Sequence, residues 1–146
     1  MALVVALACA TIGCTDPAVQ APTPIEDAVR AYNQQLVVAF AEQDMNALGG
    51  VATEEQATRE FYLMAALGEG GVRMVATLGD IEFGDVTYPA EGQATVVTRE
   101  TWDYDHVSLD TGEVVRAERG IVYELHYTLV LEDGRWLVAV VDPVVP

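Results

Sequence analysis

Apolar residues recur at Ile25, Val29, Tyr32, Leu36, Ala39 and Phe40, the 3.6-residue period of an amphipathic helix. Just before them, Thr23-Pro24-Ile25-Glu26 supplies an N-cap threonine, a proline at the first helical position and a glutamate at the third. The helix therefore starts at Pro24 and is expected to end near Gln43. Asp44 can cap a short helical turn through Leu48, stopped by Gly49-Gly50. Thr53-Glu54-Glu55-Gln56 repeats the capping box and opens a second helix through Phe61, Met64, Ala65 and Leu67, closed by Gly68 and Gly70-Gly71. From Ile81 onward the period falls to two. Strands are expected over 81–88, 93–106, 114–131 and 136–141, with turns at Pro89–Gly92, Asp110–Gly112 and Glu132–Arg135. Residues 72–78 fit either an extended piece or a last helical turn. Helices followed by an antiparallel meander predict an α+β fold, with N-terminal helices packed on a curved antiparallel sheet of about four strands.

The turns also set registers. A two-residue type I′ loop at Asp133-Gly134 puts Leu131 opposite Trp136, Leu129 opposite Val138 and Tyr127 opposite Val140. Joining Val107 to Val114 puts Ala94 opposite Tyr127, Val96 opposite Leu125, Thr98 opposite Tyr123 and Glu100 opposite Ile121. All of these fall on one face, the predicted core side. The other face reads Thr95, Val97, Arg99, Thr101 and Asp103 beside Val122, Glu124, His126 and Thr128, and is wetter. Ile81 and Phe83 differ in parity from Val86 and Tyr88, so a bulge is expected at Gly84-Asp85.

The chain has 146 residues, 51% of them hydrophobic, and a net charge of -16. That length suits one domain, and the apolar content argues against disorder. The charge repels phosphate backbones, so nucleic-acid binding is not expected. Both cysteines, Cys9 and Cys14, lie at the N-terminus, which leaves the body without a thiolate site or nucleophile. The apolar run Ala2–Ile12 is too short to span a bilayer and fits a signal-peptide core. A polar, proline-rich stretch follows. The expected organisation is a signal peptide at 1–13, a tether at 14–23 and a single domain at 24–146.

Ile12-Gly13-Cys14 resembles the lipobox of bacterial lipoproteins, a resemblance that implies lipidation of Cys14 as the first mature residue. Thr11 departs from the usual pattern, and no basic residue precedes the apolar run. The alternatives are an ordinary cleaved signal peptide or a buried N-terminal helix. Either signal reading places the domain in a bacterial cell envelope, lipid-anchored or secreted, touching membrane only through the N-terminal lipid. The capped helices and bent sheet resemble the NTF2-like (cystatin-like cone) superfamily. The segments Leu78-x-x-Ile81-x-Phe83-x-x-Val86, Glu100-x-Trp102-x-Tyr104, Tyr123-x-x-x-Tyr127-x-Leu129 and Asp133-Gly134-x-Trp136-Leu137-Val138 resemble the IMS-type domain of chloroplast and cyanobacterial division J-domain-like proteins. That resemblance implies a non-catalytic adaptor. The wider superfamily also contains small-molecule binders and isomerases, cyclases and dehydratases.

His106 and His126 are the only imidazoles and fall on opposite faces in this register, so no metal site is expected, and no cofactor motif is present. The acidic pairs Glu54-Glu55 and Asp103-x-Asp105 read as solvated element ends. Trp102, Tyr104, Tyr123, Tyr127 and Trp136 are expected on the concave face as a pocket lining. Glu100 among them is the one carboxylate suited to acid–base work, with Tyr123 or Tyr127 as the donor that would stabilise an enolate. The competing reading has no catalytic residue: an aromatic core with Glu100 near the open end, beside Arg116 and Arg119. Candidate partners are an envelope protein, a small apolar ligand, or a second copy through the sheet. Intact mass of the membrane-fraction protein checks the leader. The expected result is a chain starting at a lipidated Cys14, and an unmodified chain starting at Met1 would contradict it.

Overall fold

The structure is a computed structural model that describes residues 22–145. The signal peptide at 1–13, Cys14 and the tether as far as residue 21 lie outside the described residues. Helix α1 spans Pro24–Glu42 and opens on the full capping box: Thr23 Oγ1 accepts from Glu26 N at 3.2 Å, and Glu26 Oε2 accepts from Thr23 N at 3.3 Å. Its last turn closes on Gln43 in the left-handed region, φ 56°. A 3-10 turn at Met45–Leu48 follows, capped by Asp44, whose Oδ1 accepts from Asn46 N. Helix α2 spans Glu54–Glu69. Only half of its expected capping box forms. Thr53 Oγ1 accepts from Gln56 N, but the Gln56 side chain turns into the core to meet Tyr32 and Glu60. Among the described residues no helix is long and apolar enough to cross a membrane.

The sheet has five strands: β1 Val72–Phe83, β2 Thr87–Ala90, β3 Gln93–Ser108, β4 Val114–Glu132 and β5 Arg135–Pro143. Their order is β1-β3-β4-β5, all antiparallel, with β2 pairing on β3 beyond the end of β1. Residues 72–78 are therefore strand. The expected 81–88 strand splits at Gly84–Val86, and the strand parity changes earlier, at a bulge beside Gly79. The helices cover one face. Ile25, Val29 and Tyr32 of α1 meet Ala94 and Val96 of β3, Tyr127 and Leu129 of β4 and Val138 of β5 in one buried cluster. The free edge of β5 is covered by the chain before α2: Thr53 N donates to Val138 O, and Val138 N donates to Val51 O.

The Asp133-Gly134 turn is of type I′, with φ of 47° and 76°. Leu131 faces Trp136 and Leu129 faces Val138 as expected, but Ala139 bulges and Tyr127 faces Val141 rather than Val140. The β3–β4 register differs more. Val107 does face Val114, but β4 then takes up one extra residue at Val115 and another at Arg119-Gly120, where Gly120 has φ 64°. Two slips of one residue preserve parity, so the predicted core face stands. Every partner beyond them moves by two: Ala94 faces Leu129, Val96 faces Tyr127, Thr98 faces Leu125, and Glu100 faces Tyr123 instead of Ile121. The expected neighbourhood of Glu100 with Arg116 and Arg119 is thereby overturned. Arg116 pairs with Glu118 at 2.7 Å and Arg119 with Asp105 at 2.6 Å, both exposed, between and at the bulges.

Leu129 is fully buried under α1, whereas Leu131 on the same strand is 45% exposed. Leu129→Ala is expected to destabilise the domain by about 3 kcal/mol, and Leu131→Ala by less than about 1 kcal/mol. Equal shifts in urea denaturation would show that the helices do not cover the sheet as described.

Candidate functional site

A cavity of about 270 Å³ opens between α1, α2 and the concave face of the sheet. Leu36, Val37 and Phe40 of α1, Met74 and Ala76 of β1, and Leu125 and Val141 of β4 and β5 give it apolar walls. Trp102, Tyr104, Tyr123 and Tyr127 line it, as the sequence predicts. Trp136 does not. It sits half-buried at the opposite end of the sheet, next to the type I′ turn, with its ring 6.2 Å from that of Tyr88. Its alternation with Val138 is real, and it packs partly buried against the core cluster rather than on the cavity.

Glu100 borders the cavity and has no exposed surface. Its Oε1 accepts from Tyr127 OH at 2.8 Å, Thr98 Oγ1 at 2.9 Å and Asn33 Nδ2 at 3.2 Å, and its Oε2 accepts from Trp102 Nε1 at 2.8 Å. Four donors from α1, β3 and β4 converge on it, with no cation. An ionised carboxylate is acceptor-only, so its hydrogen-bonding needs match this cage. Asn33 orients the cage from the helix side, since its Oδ1 lies 3.2 Å from Tyr127 OH. Burial, then the charge of Glu100, pushes the Tyr127 hydroxyl far above its ordinary range, so it remains a protonated donor.

A second carboxylate, Glu60 of α2, also faces the cavity. Its Oε1 accepts from Tyr32 OH and from Gln56 Nε2, each at 2.9 Å, and Gln56 Nε2 also donates to Tyr32 OH at 3.0 Å. Burial raises the Glu60 pKa above the ordinary carboxylate value, while the hydrogen bonds from Tyr32 and Gln56 pull it back. The same burial, with the Glu60 charge next, holds Tyr32 protonated. The rings of Tyr32 and Tyr127 meet edge to face at 6.3 Å, so the two carboxylate clusters abut. At the other end Tyr104 stacks on Trp102, and its hydroxyl is raised by burial and then by Tyr123 beside it.

Asn33, Tyr32, Gln56 and Glu60 are absent from the sequence-based candidates. Asn33 carried a legible signal: it lies four residues after Val29, on the apolar stripe of α1. Gln56 and Glu60 had a fainter one. They sit four apart on α2 and turn inward, while Phe61, Tyr62 and Leu63 are exposed. His106 and His126 lie apart, opposite Arg116 and Asp142. Among the described residues no three His, Cys, Asp or Glu side chains converge as metal ligands would.

No protein-family model matches the chain, and no curated protein matches it in sequence. Solved structures match it in fold. The intermembrane space region of chloroplast protein ARC6 superposes with a TM-score of 0.72 at 17% identity, over 84% of this chain and 95% of that one. A periplasmic fragment of TraM gives 0.56 at 12% identity, over 81% of this chain and 96% of the other. ActVI-ORFA from Streptomyces coelicolor gives 0.55 at 14% identity, over 86% and 100%. The chain shares the α+β fold of these structures, two helices on an open antiparallel sheet, and the likeness to the ARC6 region covers 84% of it.

The raised pKa of Glu60 means that the folded state holds this proton more tightly than the unfolded chain does. Its contribution to stability is complete below the unfolded carboxylate range and is lost as pH rises through the folded value. Glu60→Gln cannot titrate. The stability of the natural protein relative to Glu60→Gln is therefore expected to fall as pH rises above the ordinary carboxylate range. Urea denaturation across that rise checks it, and a pH-independent difference would contradict the burial of Glu60.

Proposed function

We propose that the domain is an extracytoplasmic, non-catalytic binding module, carried by a lipid on Cys14, that takes a small apolar ligand into its cone. The observation that carries this reading is the state of Glu100. All four of its hydrogen bonds are to the protein, and no surface is left to touch a substrate. A general base must come within hydrogen-bond reach of the proton it abstracts. Glu100 with Tyr123 or Tyr127 is therefore poorly placed for isomerase, cyclase or dehydratase chemistry, while the open apolar space beside it is well placed for binding. The ARC6 region belongs to an intermembrane space and the TraM fragment to a periplasm, which supports the location, as does the lipobox-like leader.

A second reading rests on Glu60, a cavity-facing carboxylate with a raised pKa and a neighbouring tyrosine donor. It would make the site an acid–base centre on α2 rather than on β3.

The neutral fluorophore N-phenyl-1-naphthylamine tests the binding reading. Saturable one-to-one binding is expected. Ala76→Leu, which extends a side chain from β1 into the cavity, should weaken it by about tenfold or more, equivalent to about 1.4 kcal/mol. Absence of saturable binding, or binding indifferent to Ala76→Leu in a variant that still melts cooperatively, would overturn it.

A further inference from the structure

The cavity has a property that an apolar ligand does not require: its formal charges are all of one sign. Glu60 and Glu100 border it, and no arginine or histidine does. The chain has no lysine at all. A carboxylate removed from water is destabilising unless something compensates it. Glu100 is compensated by its cage. Glu60 is compensated on one oxygen only: Tyr32 and Gln56 both donate to Oε1, and no hydrogen bond reaches Oε2 among the described residues.

Aromatic rings line the same cavity. The rings of Trp102 and Tyr104 lie parallel, 10° apart in plane with centroids 6.0 Å apart. Tyr123 stands at 70° to Tyr104, 6.4 Å away, so the three form a corner of the cavity wall. Ring faces carry the negative end of the aromatic quadrupole, and a cation within reach of them is attracted.

Resting on the binding reading above, we infer that the ligand is a small organic cation, an amine or quaternary ammonium bearing an apolar chain or ring. Its ammonium group lies against Glu60, its apolar part lies along α1 at Leu36 and Phe40, and the aromatic corner walls the same cavity. A carboxylate or phosphate ligand meets two like charges in a poorly screened interior and is excluded. The net charge of -16 adds to this by concentrating cations around the domain.

Hexylammonium, 1-hexanol and hexanoate have the same chain and differ in headgroup charge, so they separate the charge from the apolar contribution. Trp136→Phe leaves Trp102 as the only tryptophan, placing the emission on the cavity wall. At pH 7.5, hexylammonium is expected to shift that emission at a concentration about tenfold or more below 1-hexanol, with hexanoate weakest. In Glu60→Gln the advantage of hexylammonium should shrink severalfold while 1-hexanol binding is unchanged. Binding of 1-hexanol as tight as that of hexylammonium would overturn the cation inference and leave the apolar cavity standing. Discrimination unaltered by Glu60→Gln would overturn the role of Glu60. No response to any of the three would remove the binding reading itself.

Discussion

A carboxylate placed in a sheet interior with no exposed surface governs this domain. Left alone, such a group is far less stable buried than in water. Here Glu100 is held by Asn33 from α1, Thr98 and Trp102 from its own strand and Tyr127 from β4. Each donor comes from an element that must be in place for the cage to close. Helix α1 cannot rotate without withdrawing Asn33, and β4 cannot slide without withdrawing Tyr127. The interaction is thus less a source of net stability than a specification of register and helix orientation. Removing one partner leaves a charge exposed to an apolar interior.

The cage also explains the shape of the cavity. Asn33 and Tyr127 are occupied with Glu100, so α1 stands on hydrogen-bonded polar atoms at this level instead of on interdigitated apolar side chains. The space beside them opens toward α2. There a second polar cluster, Glu60 with Tyr32 and Gln56, takes the place of the apolar stripe that a helix covering a sheet would ordinarily present. Phe61 and Tyr62 are exposed, Leu63 borders the cavity beside Glu60, and Gln56 is the buried residue of α2.

Much of the fold was legible. Local signals fixed both helix starts, the type I′ turn and the core face of β3 and β4, because capping boxes, Asp-Gly and period-two alternation act within a few residues. What was not legible depended on slips within strands. Three single-residue bulges, at Val115, Arg119-Gly120 and Ala139, leave hydrophobic alternation nearly intact and relocate partners. Gly120 was the one hint. Since two of these slips cancel in parity, the pattern predicted the correct face for Glu100 and the wrong neighbours, Arg116 and Arg119 in place of Asn33 and Tyr127. The cavity aromatics were found by the same parity, Trp136 excepted, because alternation reports a face and not a position along it. Glu60 was missed because an amphipathic reading of α2 assigns its polar side to water.

The edges of the sheet show how the domain behaves at high density. On one side, Val51–Thr53 occupies the backbone groups of Val138. On the other, the rim is interrupted by the Gly79 bulge, the break at Gly84–Val86 and Pro89 in a strand of four residues. Each rim is broken at these points, which shortens the row of free amides it offers to a neighbouring copy. Copies crowded together would meet these breaks before they could add a strand. The breaks thus oppose edge-to-edge pairing on a domain that displays valines on its outer face and exposed aromatics on α2.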